Sequence, residues 1–159
     1  MKTLIVYATK SGASRKCVEL LADKLAVGSV CDLSKQEPDI ARYDVVILGS
    51  GVRFGKIYRP MKDFMEHNRQ KLLSKRIAFF LCNAYPNTFQ RVVEKNIPKE
   101  LIDRALCIES FGGTPPFTSP KNGDWILMNS VERLVQSVLF ESKQDRDVTA
   151  KVPDKLRGI

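Results

Sequence analysis

Five short apolar runs, separated by segments of helical periodicity, constrain this chain more than any other feature. Thr3–Ala8 (TLIVYA), Asp44–Ser50 (DVVILGS), Arg76–Cys82 (RIAFFLC) and Ala105–Phe111 (ALCIESF) are of strand length and rich in Val, Ile and Phe, and Ser29–Leu33 (SVCDL) is a shorter β-like piece. Runs that are apolar almost throughout, rather than at alternate positions, belong to strands covered on both faces, as in a parallel sheet. Between them, Ser14–Ala26 carries Cys17, Val18, Leu21, Ala22 and Leu25 at helical spacing. Arg59–Leu73 carries Met61, Phe64, Met65, Leu72 and Leu73 on one stripe, with Pro60 in its first turn. Thr88–Asn96 and Lys99–Ala105 read as shorter helices separated by Pro98, and Asp124–Glu141 as a long amphipathic one. Such alternation implies right-handed βαβ units: an α/β fold of three layers, α/β/α, around a doubly wound five-stranded parallel sheet.

At 159 residues, with 43% apolar and 28% charged side chains, the chain is sized for one soluble domain. That domain is expected over residues 1–141, and the polar, mixed-charge stretch 142–159 as a tail. The first apolar run is too short for a secretion signal and no stretch reaches the ~18–20 residues of a membrane span, which predicts a cytoplasmic protein. Cys17, Cys31, Cys82 and Cys107 stand singly and His67 is the only histidine, so neither a zinc site nor a disulfide framework is indicated, and the thiols are expected in the interior. The net charge of +8 points to an anionic ligand, an anionic surface or nucleic acid. Nucleic acid is disfavoured, because aromatic side chains are not interleaved with the basic ones as stacking platforms require.

In an open α/β sheet of order 2-1-3-4-5, ligands bind beyond the carboxyl ends of the strands, between the first and third. The segments leaving those ends are TKSGAS (9–14), SGVRFGKIYRP (50–60), NAYPNTF (83–89) and GGTPPF (112–117), all polar or glycine-rich. Thr9–Ser14 runs from a strand into a helix N-terminus, whose unpaired amides and dipole favour an anion. Thr9, Ser11 and Ser14 add hydroxyls, Gly12 permits close backbone approach, and Ser14 is also suited to cap the helix. The Walker spacing is absent, and GSGVRFG (49–55) misses G-x-G-x-x-G by one residue and follows the wrong strand. A receiver-type phosphoacceptor would need acidic residues where the chain has Thr9–Lys10 and Gly49–Ser50.

TKSGAS resembles the T-x-[TS]-G-x-[TS] phosphate loop of flavodoxins. More narrowly, SGVRFGKIYRPMKDFMEHN (50–68) and AFFLCNA (78–84) are similar to segments of the menaquinone-dependent protoporphyrinogen dehydrogenases, also called protoporphyrinogen oxidases, of heme biosynthesis. The likeness runs from Met1 to about Gly113; residues 115–159 do not follow that family's pattern. It implies a flavodoxin-like fold, FMN as cofactor, and an FMN-dependent oxidoreductase whose partner is a quinone or another redox partner. On that resemblance, Thr9, Lys10, Ser11, Gly12, Ala13 and Ser14 would line the phosphate. Ser50, Val52, Arg53, Phe54 and Gly55 would border one side of the flavin, and Asn83, Ala84, Tyr85, Pro86 and Asn87 the other, with Gly112, Gly113 and Thr114 completing the rim. Phe54 either stacks on the ring or tucks into the core beside the following helix. Tyr85, within a loop, is the better placed neighbour.

Charge bears on the use of such a site. Arg53, Lys56, Arg59, Lys62, Arg69, Lys71, Lys75 and Arg76 face only Asp63 and Glu66 between residues 50 and 76. One positive charge ~6 Å from a flavin contributes about 0.7 to 3 kcal/mol, or roughly 30 to 120 mV for a one-electron step. That favours full reduction, as in a dehydrogenase. The alternatives are a flavodoxin-like electron-transfer protein with a basic partner-binding surface, and a binding domain without flavin. The basic stretch is also expected to give peripheral, salt-sensitive contact with an anionic membrane, while the apolar face of 124–141 covers the sheet.

Overall fold

A computed structural model describes residues 2–10, 12–113 and 125–144. In chain order these form β1 (Thr3–Ala8), α1 (Ala13–Leu25), β2 (Val30–Asp32), β3 (Val45–Arg53), β4 (Lys56–Ile57), α2 (Arg59–His67), α3 (Arg69–Leu73) and β5 (Arg76–Cys82). A 3-10 turn (Pro86–Thr88), α4 (Phe89–Asn96), α5 (Lys99–Arg104), β6 (Ile108–Ser110) and α6 (Met128–Gln144) follow. The sheet runs β2-β1-β3-β5-β6, all parallel, with β4 paired antiparallel to β3 alone. With β4 set aside this is the order 2-1-3-4-5 expected from the sequence.

Side-chain alternation divides the strands between two cores. Leu4, Val6, Val46, Leu48, Phe79 and Leu81 face Met61, Phe64, Leu72, Phe89 and Leu101 on one side. Ile5, Tyr7, Val45, Ile47 and Phe80 face Cys17, Leu21, Val131, Leu134 and Val138 on the other. Both faces are therefore covered, which is why the runs lack polar alternation. Register is fixed by volume as well as hydrophobicity. Gly49 lies opposite Phe80 across β3 and β5, and a Cβ there would stand 1.9 Å from the Phe80 ring. The freed space lets Phe80 stack on Phe111 with centroids 4.7 Å apart, a geometry worth ~0.5–1.5 kcal/mol beyond area burial.

Glu109, the one charged residue in the last apolar run, is fully buried in β6 and accepts from Arg133 Nε at 2.9 Å, while Arg133 also donates to Ser130 at 2.8 Å. This pairing fastens α6 to the sheet edge. Helix α6 begins at Met128 rather than Asp124, because Leu127 N–H donates to Phe111 O and holds the preceding residues as a tie to β6. It continues through Gln144, beyond Glu141. Its Val131, Leu134, Val135 and Val138 are buried as expected, whereas Leu139 and Phe140 face solvent.

The single helix expected over 59–73 is divided at Asn68, whose side-chain amide donates to Phe64 O and to Glu37 Oε1. A side chain that bonds the backbone of its own helix competes with continuation of that helix. No helix among the described residues is long and apolar enough to cross a membrane.

Candidate functional site

The segments leaving the carboxyl ends of β1, β3 and β5 form one edge of the molecule, and the opposite edge, where Lys2 N–H donates to Asp44 Oδ2, carries a separate cleft of about 330 Å³ between Lys2–Thr3, Leu25–Ser29 and Arg42–Tyr43. At the head of α1, Gly12 is the N-cap residue with φ +86° and no side chain caps the helix. Its own amide donates to Thr9 Oγ1 at 2.9 Å, closing a tight loop. A left-handed residue is cheap only for glycine, and a Cβ here would point into open space. The first amides of α1 have no intrahelical acceptor, so the loop is a cradle of backbone donors open to the outside.

Ser14 does not cap the helix. It is fully buried and donates to Cys82 Sγ at 3.7 Å, and that sulfur is 3.6 Å from Cys17 Sγ. The hydroxyl thus ties the first turn of α1 to the end of β5. Lys10 extends the other way, its Nζ 5.1 Å above the ring of Tyr58. Tyr58 is held in turn by its amide, which donates to Ser50 Oγ, and by close packing on Gly51. Burial raises the Tyr58 phenol above its ordinary value, against the opposing charge of Arg53. Ser50 is buried with its hydroxyl donating to Gly51 O, so it braces the edge rather than presenting a donor. Ser11 lies outside the described residues.

Arg53 ends β3, and Phe54–Gly55 form a two-residue turn into β4 with φ of +54° and +75°. Two successive left-handed residues give the hairpin turn that matches strand twist, but phenylalanine is a poor occupant of that region. Its side chain is 79% exposed, which removes the alternative that Phe54 tucks into the core. A strained, solvent-facing aromatic at a ligand edge is a functional pointer.

Across from this hairpin, Asn83 spends its side chain inside its own loop, its amide donating to Tyr85 O and Thr88 Oγ1 and its oxygen accepting from Tyr85 N–H. It shapes the loop that leaves Tyr85 52% exposed. Val52, Arg53, Phe54 and Gly55 line one cleft of about 340 Å³ together with Asn83, Ala84 and Tyr85. Asn87 is exposed and does not line it. Gly113 packs against the backbone of Cys82 to Ala84, where a Cβ would come within 3.0–3.2 Å, so the end of β6 abuts this loop. Gly112 has φ +83° and Thr114 lies outside the described residues.

Sequence reasoning missed one wall of the cleft. Thr88, Arg91, Val92 and Lys95 line it from α4 and the turn before it. Their three- and four-residue spacing places them on one helical face, a pattern legible in the sequence but not distinguishable there from an ordinary solvated face.

Comparison with known proteins gives a consistent result. The model of the Flavodoxin domain family matches residues 4–115. Protoporphyrinogen IX dehydrogenase [quinone] of Escherichia coli (strain K12) is 31% identical over 88 residues, 52% of this chain and 49% of that protein. The chain thus spans about half the length of the curated relatives it matches. Among solved structures, rubredoxin oxygen:oxidoreductase of Desulfovibrio gigas has a TM-score of 0.64 at 12% identity, covering 92% of this chain and 37% of that one. A flavoprotein in complex with FMN from Lactobacillus acidophilus NCFM has a TM-score of 0.52 at 17% identity, covering 69% and 92%. The doubly wound sheet and a family match over most of its length give one conclusion: the chain belongs to the flavodoxin domain family.

Proposed function

We propose that this chain binds FMN and acts as an oxidoreductase of the quinone-dependent protoporphyrinogen dehydrogenase type. The observation that carries the reading is the uncapped, glycine-headed turn at α1, set at the same sheet edge as a cleft rimmed by exposed Phe54 and Tyr85. The residues suit the group: amides at the head of α1, with Thr9, Lys10 and Ser11, would hold the phosphate, and the 52–55 and 83–85 segments would flank the ring. Ser14 supports that turn from below through Cys82. When bound, FMN supplies reversible two-electron chemistry. The protein's part is to orient the ring, to offer an aromatic surface on one side, and to bias the local potential with Arg53 and Lys56.

The relative of 31% identity is a quinone-dependent enzyme, which favours a quinone as partner. A quinone resident in a bilayer requires a docking face. Exposed Arg59 and Lys62, in the first turn of α2 on the carboxyl side of the sheet, would meet anionic head groups, each worth ~1 kcal/mol near the surface. That contact would be electrostatic and lost in high salt.

Titration of FMN into the purified protein is the first test, with quenching of flavin fluorescence expected at one FMN per chain. Absence of quenching ends the flavin reading. The second test is oxidation of protoporphyrinogen with a menaquinone analogue, with and without anionic vesicles. FMN binding without porphyrinogen oxidation would leave an electron-transfer protein with a basic partner surface as the better account.

A further inference from the structure

The cleft carries more positive charge than a flavin ring calls for. Arg53, Arg91 and Lys95 line it, and none of its lining residues is acidic. None of the three forms an ion pair with a carboxylate among the described residues. Arg15, Lys24, Arg59, Arg69 and Arg133 elsewhere do. Glu94, the carboxylate on α4, does not line the cleft and accepts instead from Gln90 Nε2 at 3.2 Å. Three like charges around one concavity repel one another, and a low-dielectric wall focuses their field onto whatever enters. Among the described residues of the phosphate-loop candidate, Thr9, Lys10, Gly12, Ala13 and Ser14, none lines this cleft.

We infer that the α4 wall, through Arg91 and Lys95, is a separate anion subsite that holds the carboxylate of a flat, largely apolar redox substrate against the Phe54–Tyr85 rim. This rests on the oxidoreductase reading above and adds its specificity. The two exposed aromatics supply a surface for a planar body. Arg91 offers a guanidinium fork and Lys95 a point charge one helical turn away, matched to a carboxylate at the edge of that body. A small molecule fits the site, because Arg91 and Lys95, themselves exposed, border a recess of about 340 Å³ that the Phe54–Gly55 turn and the 83–85 loop close on its other sides. A neutral quinone would gain nothing from this wall, so the subsite selects the acidic partner of the reaction.

The test uses 1-pyrenebutyrate and its methyl ester, which share a flat apolar body and differ in one carboxylate. Fluorescence titration of the full chain, with and without FMN, should show the acid binding at least tenfold more tightly than the ester at low salt. The preference should collapse at high salt and in an Arg91→Gln/Lys95→Gln variant, and return largely in Arg91→Lys/Lys95→Arg. FMN affinity, measured separately by flavin quenching, should change far less than the acid–ester preference in every variant. Equal binding of acid and ester, or a preference that survives the double Gln substitution, overturns the subsite. Failure of wild-type protein to bind FMN would instead count against the flavin reading, while the acid–ester comparison still decides the subsite.

Discussion

The sulfurs of Cys17 and Cys82 lie 3.6 Å apart, joining the second turn of α1 to the last residue of β5 directly beneath the phosphate-loop candidate. Both thiols are buried. The pair acts as packing that positions the loop, since α1 can shift on the sheet only by separating the two sulfurs and the Ser14 hydroxyl that donates to one of them.

This contact makes stability depend on alkaline pH. Hydrogen bonding to Cys82, then burial, push the Cys17 thiol far above its ordinary value. A raised folded-state pKa contributes stability that is whole below the unfolded thiol value of about 8.5 and is lost as pH rises beyond it. Unfolding free energy should therefore fall above pH 8.5 by up to ~1.4 kcal/mol per pH unit from this group. Burial raises Tyr58 as well, which steepens the fall above pH 10. Urea denaturation from pH 7.5 to 10.5 checks this, and Cys17→Ala should flatten the slope by about one proton. Iodoacetamide should leave Cys17 unlabelled in the native protein at pH 8.

A second expectation concerns the sheet. Gly49→Ala places a methyl group 1.9 Å from the Phe80 ring, which is stacked on Phe111 and has no free direction to move. Overpacking of this kind costs about 1–3 kcal/mol. Phe80→Leu in the same chain should recover part of it, a non-additivity expected of touching residues. Denaturant midpoints of the two single variants and the double variant decide the matter, and strict additivity would mean that the ring is displaced without strain.

The strand order was legible because five runs carry apolar residues on both faces, and only a sheet covered by helices on each side accommodates that. What escaped was set by partners distant in sequence or by very short elements. The break at Asn68 depends on Glu37, thirty-one residues earlier. The β4 hairpin has a two-residue strand and a Phe-Gly turn in place of the usual Asn-Gly, so neither length nor composition announced it. In the site, the hydroxyl-rich loop was visible but the roles of its side chains were not. Ser14 reads as a cap or a phosphate ligand until Cys82, sixty-eight residues away, is seen to accept its hydrogen bond. The α4 wall was overlooked because Arg91 and Lys95 resemble any solvated helix face until the hairpin tip is placed opposite them.

Arg53 provides a third expectation, about redox bias. It is half-buried at the end of β3, close enough to Tyr58 to affect its titration, and it lines the cleft. Arg53→Gln should lower the midpoint potential of the FMN-loaded protein by roughly 30 to 120 mV for the step that adds negative charge. Arg53→Glu should lower it further. Potentiometric titration against dyes of known potential measures this, and an unchanged midpoint would remove Arg53 from the flavin's surroundings.

The phosphate loop supports the last expectation, which separates backbone from side-chain contributions to FMN binding. Gly12 has φ +86°, where a side chain costs ~1–2 kcal/mol, and the Cβ would enter the open space at the head of α1. Gly12→Val should therefore weaken FMN by a hundredfold or more while leaving most of the fold intact, because a Cβ there meets nothing within 4 Å in the protein itself. Lys10 contributes differently. Its ammonium rests 5.1 Å from the Tyr58 ring, a contact of about 0.5–1 kcal/mol at an exposed site, so it is preplaced beside the loop yet free to move. Lys10→Ala should weaken FMN about tenfold at low salt and hardly at all at 1 M salt, where screening shortens to ~3 Å. Riboflavin, which lacks the phosphate, should bind the wild-type and Lys10→Ala proteins equally. Paired titrations of FMN and riboflavin at two salt concentrations make the comparison. If Lys10→Ala weakens both ligands alike, the lysine supports the loop through Tyr58 and does not meet the phosphate.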